Sequence, residues 1–204
     1  MLKNNMSHIK RIKALYVLYS PFQNLKLLIK GVRLKGIVYT CGCLYVCKSK
    51  LSTITVGRKC RFMSKWWGNN IGLNHPCMLS AEKGAILEIG DKCSFSGTSI
   101  WCFYKITIGN NVRVGANCLI LDGDAHQDDP RAGKNKPIVI EDNVWLGGNV
   151  VVKKGVTIGR NSVIGMNSVV TKNIPANCVA IGNPCTIVKQ FDESKIIEIE
   201  QYLK

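Results

Sequence analysis

From residue 140 onward, aliphatic residues recur every six positions, at Ile140, Leu146, Val152, Ile158, Ile164 and Val170. A second small or branched residue stands four places after each, at Val144, Val150, Val156, Ser162, Ser168 and Ile174. The position directly after each aliphatic is mostly glycine or polar: Glu141, Gly147, Lys153, Gly159, Gly165 and Thr171. The same frame appears upstream at Ile108-Gly109, Val114-Gly115 and Ile120 with Val112 and Cys118, at Val56-Gly57 with Cys60, and at Ile89-Gly90 with Cys93. A helix repeats its buried face near 3.6 residues and a strand near 2, so neither explains a period of six. Short strands separated by tight corners do explain it, with three hexapeptides closing one triangular coil and successive coils stacking as a parallel β-helix. Asn111, Asn143, Asn161 and Asn167 fall at the corners, where asparagine tolerates positive φ. Cys60, Cys93 and Cys118 fall on inward positions and read as core filler.

The flanks follow another period. Residues 9–34 read as helical in two pieces: Ile9, Ile12, Leu15, Tyr16 and Tyr19 share a face, and Ser20-Pro21 restarts the chain as a second, capped segment. Lys10, Arg11, Lys13, Lys26, Lys30 and Arg33 surround that apolar surface, which reads as a cap over the open first coil or as an interfacial helix against anionic lipid. Residues 191–204 read as a short helix with Asp192 as N-cap and Ile196, Ile197, Ile199 and Leu203 on its apolar positions. The chain thus divides into a basic capping segment (1–50), a β-helix (51–190) and a C-terminal helix (191–204). One stretch, 121–137, breaks the repeat in its strong region and is too polar and too rich in Pro and Gly to be a coil, so it is predicted to be a loop thrown out of the stack.

Composition narrows the class. The 204 residues, 46% of them hydrophobic, suffice for one domain with a core and exclude a multidomain machine. Lys and Arg number 28 against 13 Asp and Glu, a formal +15. Residues 1–81 hold 14 of the basic residues and no acidic one, and from Glu82 onward the balance is 14 to 13. An anionic partner is expected to meet the N-terminal part; nucleic acid is not expected. No uncharged apolar run approaches the roughly 18 to 20 residues that span a bilayer, and no leader pattern opens the sequence, so the cytoplasm is the expected compartment, with peripheral membrane contact through residues 9–35 left open. The ten cysteines are expected to be reduced. Cys41, Cys43 and Cys47 lack the paired spacing of zinc modules and a nearby His, so they read as buried core residues and no metal is expected.

The extruded loop begins Leu121-Asp122-Gly123-Asp124-Ala125-His126. Loops leaving a rigid scaffold disproportionately carry function, and imidazole is suited to take a proton near neutral pH. His126 is therefore the candidate general base, against the alternative of a surface His bordering a turn. The repeat, this loop, and the run Val144-Trp145-Leu146-Gly147-Gly148 through Gly155-Val156-Thr157-Ile158-Gly159, Asn161-Ser162-Val163-Ile164-Gly165, Thr171-Lys172-Asn173-Ile174-Pro175 and Gly182-Asn183-Pro184 resemble the left-handed β-helix hexapeptide acyltransferases, in the branch of the sugar O-acetyltransferases. The resemblance implies a mainly β protein, a left-handed parallel β-helix with an N-terminal helical segment and a short C-terminal helix. It also implies acetyl-CoA as donor, a sugar or lipid-linked sugar of polysaccharide biosynthesis as acceptor, and a homotrimer with sites between subunits.

By the same resemblance, Asp122 or Asp124 orients His126 and a backbone N–H near Gly148 stabilises the oxyanion. The donor lies along Gly115, Trp145, Gly147, Gly148, Met166, Thr171 and Lys172, with Lys189 the nearest cation for its 3′-phosphate. Ser94 or Ser96 stands where maltose-type members carry an Asn toward the acceptor. His75 is either an acceptor contact or a turn residue. Trp66, Trp67 and Trp101 are expected in core or subunit packing, with sugar stacking as the alternative. Competing readings are N-acetylation of an amino sugar, acetylation of a xenobiotic, and a non-enzymatic trimeric scaffold whose basic N-terminus binds lipid or nucleic acid. A three-His zinc site of the carbonic anhydrase type is disfavoured, because only His8, His75 and His126 are present.

Overall fold

The structure, a computed structural model, describes residues 2–126 and 128–203, with side chains for 15–126, 128–199 and 201–202. The side chains of Ile9, Lys10, Arg11, Ile12, Lys13 and Leu203, singled out above, lie outside the described residues. After helix α1 (Leu2–Ile29) the chain winds into six coils of three short strands. The first coil is β1 (Arg33–Leu34), β2 (Tyr39–Cys41) and β3 (Tyr45–Lys48); the second is β4 (Thr53–Val56), β5 (Arg61–Met63) and β6 (Met78–Ala81). The third is β7 (Ile86–Ile89), β8 (Ser94–Ser96) and β9 (Ser99–Cys102), and the fourth is β10 (Lys105–Ile108), β11 (Arg113–Ala116) and β12 (Leu119–Leu121). The fifth is β13 (Ile138–Ile140), β14 (Trp145–Leu146) and β15 (Val151–Val152), and the sixth is β16 (Thr157–Ile158), β17 (Val163–Ile164) and β18 (Val169–Val170). The chain ends with β19 (Cys178–Ile181), β20 (Thr186–Gln190) and helix α2 (Glu193–Leu203).

Strands of like position stack into three faces. The first face is β1-β4-β7-β10-β13-β16, the third is β3-β6-β9-β12-β15-β18, and both are wholly parallel. The second face is β2-β5-β8-β11-β14-β17-β19-β20, in which only β19 and β20 run antiparallel. The six-residue frame places Ile140, Val144, Leu146, Val150, Val152, Val156, Ile158, Ile164, Val170 and Ile174 inside the triangle, all buried. Phe62 stacks on Phe95 at 4.9 Å between ring centroids, joining the cores of the second and third coils.

The corners are built as their residues require. Asn111, Asn143, Asn161 and Asn177 occupy the first-to-second corner at φ 54, 62, 61 and 60°. Each side-chain amide donates to the next Oδ1, at 3.2, 3.0 and 2.8 Å, so the left-handed residues also form a ladder. Asn167 belongs to the second-to-third corner, where it accepts from Asn149 at 3.0 Å. Lys59 and Lys92 hold the same left-handed conformation in the second and third coils, where their side chains cannot continue the amide ladder. The inward thiols donate to glycine carbonyls one coil on: Cys60 to Gly90 O at 3.1 Å, Cys93 to Gly109 O at 3.0 Å and Cys118 to Gly147 O at 3.0 Å.

Four expectations need correction. Residues 2–29 form one helix, with Pro21 inside it. Ser20 does not cap a second segment: its Oγ accepts the Thr40 N–H at 3.0 Å, and Asn24 Nδ2 donates to the Ser20 carbonyl at 2.7 Å. The β-helix begins at Arg33 and not at 51, because the first coil carries its inward residues Val38, Leu44 and Val46 without the Asn corners that mark later ones. A second excursion leaves the stack at 64–77, between β5 and β6, and contains a short 3₁₀ turn at Trp66–Gly68. Cys41 is buried, but Cys43 and Cys47 are exposed, since alternate residues of a coil face outward. The C-terminal helix starts as read, with Asp192 Oδ1 accepting the Lys195 N–H at 2.8 Å.

Candidate functional site

His126 stands at the base of the excursion between β12 and β13, on the third-to-first corner. Two carboxylates lock the root of this loop. Asp122 is fully buried and accepts the backbone N–H groups of Phe103 at 2.6 Å, Tyr104 at 2.9 Å and Lys105 at 2.6 Å, with Cys102 Sγ at 3.7 Å. In other coils such corner donors meet carbonyls of the coil above, as Glu82 N–H meets Cys102 O at 2.8 Å and Lys153 N–H meets Val170 O at 3.0 Å. Here the coil above has left the stack, and one buried side chain supplies the acceptors for the backbone donors left facing it. Asp124 bonds to Lys154 Nζ and accepts the Gly133 N–H at 3.1 Å, while Lys154 Nζ also donates to Gly133 O at 3.0 Å. The Lys154 hydrogen bond holds the Asp124 carboxyl below the usual carboxylate range. The returning arm is tied by Lys136 N–H to Asp122 O at 3.0 Å and Gly155 N–H to Lys136 O at 3.2 Å.

The hydrogen bonds described for Asp122 and Asp124, the pair expected to orient His126, do not reach its ring. Their hydrogen bonds described here build the loop root; the imidazole is exposed, and no described residue is hydrogen-bonded to its ring. Lys154 is the participant that sequence reasoning missed, its signal being the Lys153-Lys154 pair one rung on along the same corner.

A cleft of about 420 Å³ opens beside the loop, lined by Glu82, Lys83, Trp101, Phe103, Ala125 and Asn135. Trp101 and Phe103 pack at 4.7 Å between centroids and 34° between planes, and Trp101 Nε1 donates to Glu82 Oε1 at 2.9 Å. Asn135 Oδ1 is shut off from solvent with no partner among the described residues. Trp101 thus lines a cleft, and Trp66 and Trp67 are exposed on the 64–77 excursion; none of the three is core.

The remaining candidates divide between other parts of the surface. Gly115, Gly147, Gly148 and Met166 line the second-to-third corner. A Cβ on Gly115 would lie 2.6 Å from the Gly147 carbonyl carbon, and one on Gly147 would lie 2.7 Å from the Met166 N, so coil stacking alone already requires these glycines. Gly148 is buried with the Met166 side chain against it, and its N–H is donated to no described residue, as is that of Met166 one coil on. Thr171 and Lys172 are exposed on the same corner as His126, beyond β18. Trp145 lies on the second face, sharing a groove of about 130 Å³ with Arg113, Ile199 and Tyr202, under α2. Lys189 is exposed on β20.

Ser94 and Ser96 are half-buried on β8 of the second face, Ser94 within a basic groove of about 380 Å³ shared with Lys59, Arg61, Lys92, Asn111 and Arg113. His75 is half-buried in the 64–77 excursion with Nδ1 at 2.9 Å from Pro76 O, a turn contact. Asn117 clamps that excursion, accepting the Asn74 N–H at 2.9 Å and donating to Gly72 O at 3.3 Å. One chain therefore gathers His126 with Thr171 and Lys172, and gathers the glycines near His75 along the next corner. The third-face strand between Gly148 and Lys153 separates the two groups by roughly 15 Å at ~3.3 Å per residue.

The hexapeptide repeat of succinyl-transferase matches residues 105–123 and 137–172, and the gap between the two matches is the His126 loop. The galactoside O-acetyltransferase of Lactococcus lactis is 38% identical over 137 residues, covering 57% of this chain and 66% of the relative. The galactoside O-acetyltransferase of Escherichia coli is 44% identical over 95 residues, covering 44% of this chain and 46% of the relative. The chain thus spans from about half to just under two thirds of the length of these curated relatives. Among solved structures, the N-acyltransferase AntD of Bacillus cereus, bound to dTDP and 3-hydroxybutyryl-CoA, superposes with a TM-score of 0.60 at 14% identity, covering 88% of this chain and 94% of the other. The hexapeptide-repeat acetyltransferase VCA0836 of Vibrio cholerae, complexed with acetyl-CoA, gives 0.54 at 23% identity, covering 92% and 87%. These structural likenesses speak for the fold, which is the left-handed parallel β-helix. By its repeat, its coils and its sequence relatives, the chain is similar to the hexapeptide-repeat proteins, in the branch whose named members are acetyltransferases.

Proposed function

We propose that this protein transfers an acetyl group from acetyl-CoA to a sugar hydroxyl, with His126 as general base. The observation that carries the reading is the exposed His126 imidazole, next in sequence to Ala125, which lines a cleft together with Trp101 and Phe103. A sugar ring is apolar on its faces and hydroxylated at its edge, so a cleft lined by the aromatic Trp101 and Phe103 beside Glu82 and Lys83 suits it. The names of the sequence relatives support the same acceptor class. We extend the reading to a sugar of a polysaccharide or of its lipid-linked precursor.

In this mechanism His126 takes the hydroxyl proton as the oxygen attacks the thioester carbon, a role typically contributing ~10²–10⁴ in rate. The carbon–sulfur bond breaks and the imidazolium returns the proton to the leaving thiolate. The unpaired Gly148 N–H donates to the developing oxyanion once the Met166 side chain moves aside, a preorganised donor that needs no reorientation in the transition state. Thr171 and Lys172 on one corner and Gly147 and Met166 on the other hold the donor, and Lys189 meets its 3′-phosphate. Because His126 and Gly148 occupy different corners of one chain, the site is completed by a second copy: in a side-by-side trimer, the third-to-first corner of one subunit faces the second-to-third corner of the next.

The test is a thiol-release assay with acetyl-CoA and a panel of sugar hydroxyls and amino sugars, beside a calorimetric titration of the donor. His126→Ala is expected to lower kcat by about 100-fold or more with donor affinity nearly unchanged, because a general base acts in the transition state. Undiminished turnover in that variant would remove His126 from the chemistry, and absence of donor binding at millimolar concentration would end the acyl-transfer reading.

A further inference from the structure

Over its described side chains, from residue 15 onward, helix α1 is apolar on both sides. The side it turns to the first coil buries Leu27 together with Ser20 and Gln23, with Asn24 half-buried beside them, and the side it turns to solvent carries Val17, Leu18, Phe22, Leu25, Leu28 and Ile29. The inward polar groups are engaged by the coil: Ser20 Oγ accepts the Thr40 N–H, Asn24 Oδ1 accepts the Val38 N–H at 3.1 Å, and Asn24 Nδ2 donates to Val38 O at 2.6 Å. Gln23 is nevertheless buried with Oε1 unpartnered among the described residues. Outside, Val17 and Ile29 are each 77% exposed and Phe22 68%. Ile37 of the first coil continues this surface at 63% exposure. An apolar groove of about 580 Å³ runs between helix and coil, bounded by Tyr16, Val17, Pro21, Leu28, Leu34 and Ile37. A contiguous exposed apolar patch of this kind marks an interaction surface.

We propose that this end of the β-helix docks onto an anionic lipid bilayer, with the outward face of α1 lying in the interface and the groove taking an aliphatic chain. Charge complementarity selects the occupant. The first 81 residues carry 14 cations and no anion, with Lys30, Arg33, Lys35 and Lys50 exposed around the apolar face. Pairing with a second copy through the same face would set these cations against each other, whereas anionic headgroups neutralise them while the acyl region takes the leucines. Among the described residues no helix is long and apolar enough to cross a membrane, so α1 lies along the surface. The inference does not rest on acyl transfer and is read without activity.

The test is co-sedimentation of the full chain with phosphatidylcholine vesicles, with and without phosphatidylglycerol, at low and high salt. The protein is expected to pellet with the anionic vesicles and to be released in part by salt. The triple variant Leu18→Ser/Phe22→Ser/Leu28→Ser, checked by circular dichroism for intact fold, is expected to bind about tenfold or more weakly. A second variant, Arg33→Ser/Lys35→Ser, which leaves the apolar face untouched, is expected to lose mainly the salt-sensitive part. Failure of the wild-type chain to pellet with anionic vesicles overturns the proposal. So does vesicle binding that the serine variant retains, or a serine variant whose sole change is its oligomeric state by light scattering, which would make the face a protein interface.

Discussion

Asp122 accepts the Lys105 backbone N–H at 2.6 Å, so the first loop residue after β12 closes the fourth coil onto its own first strand. The carboxylate stands where a sixth-position carbonyl would have stood had the chain continued in the stack. Asp122→Ala leaves the donors of Phe103, Tyr104 and Lys105 without this acceptor at a part-buried corner. At about 0.5–1.5 kcal/mol net for each hydrogen bond lost where water can reach the donors, stability should fall by about 1–3 kcal/mol. Thermal melting and amide exchange at residues 103–105 check this. Lost turnover with unchanged stability would instead make Asp122 a partner of His126.

Asp124 and Lys154 pin the outer part of the same root, and their pairing carries a pH signature. The carboxyl is lowered in the folded protein, foremost by its hydrogen bond to Lys154, so its contribution is present above the ordinary carboxylate value and is lost as pH falls through the lowered one. Amide exchange at Ala132 and Gly133 should stay slow from neutrality into mild acid and quicken below the usual carboxylate range. Asp124→Asn should show the quickened exchange already at pH 7, with the melting of the coils nearly unchanged.

Lys92 stands at φ 59° in a column whose later rungs are Asn111, Asn143, Asn161 and Asn177. Left-handed backbone costs an ordinary side chain roughly 1–2 kcal/mol, and asparagine less. Lys92→Asn should therefore raise the melting temperature, by about 0.5–1 kcal/mol in stability, and extend the amide ladder by one rung. Lys59→Asn alone should give a similar gain, since Lys59 holds the same φ of 59°.

Thiol chemistry should divide the cysteines by position. Cys43 and Cys47 are exposed, whereas burial pushes the Cys118 and Cys77 thiols up to about 11 and that of Cys102 to about 12. Titration of the native protein with a thiol reagent at neutral pH should find two fast groups, with the rest reacting on denaturation. Mass spectrometry of the labelled peptides assigns them; rapid labelling of Cys118 would contradict the packing of the fourth coil.

The extent to which the fold was legible follows the spacing of its corners. Where Gly and Asn mark every hexapeptide, from Ile106 to Ile174, the frame alone places each inward residue. The first coil has no such marks, and its strands pass for a linker until Leu27, Leu44 and Val46 are seen in one core. The 64–77 excursion was hidden for another reason: it holds apolar residues of its own, among them Trp66, Ile71 and Leu73, so its composition does not stand out from that of a coil. At the site, the extruded loop and its His were visible, because polar residues replaced a whole coil. The role of Asp122 was not, since its partners lie 17 to 19 residues earlier, one full coil below. That distance is itself a usable signal in a repeat of this kind: an acidic residue one turn above a corner whose carbonyl partners have departed.

The second face is closed at both ends. At its first strand, Ser20 and Asn24 occupy the Thr40 and Val38 hydrogen-bonding groups, and at its last, β20 runs against β19 in reversed direction. An open parallel edge is a template on which another molecule can continue the ladder. With one edge occupied by side chains and the other reversed in polarity, the parallel ladder of this face cannot run on unbroken from one copy of the chain into the next, which leaves the flanks as the natural surface for lateral assembly.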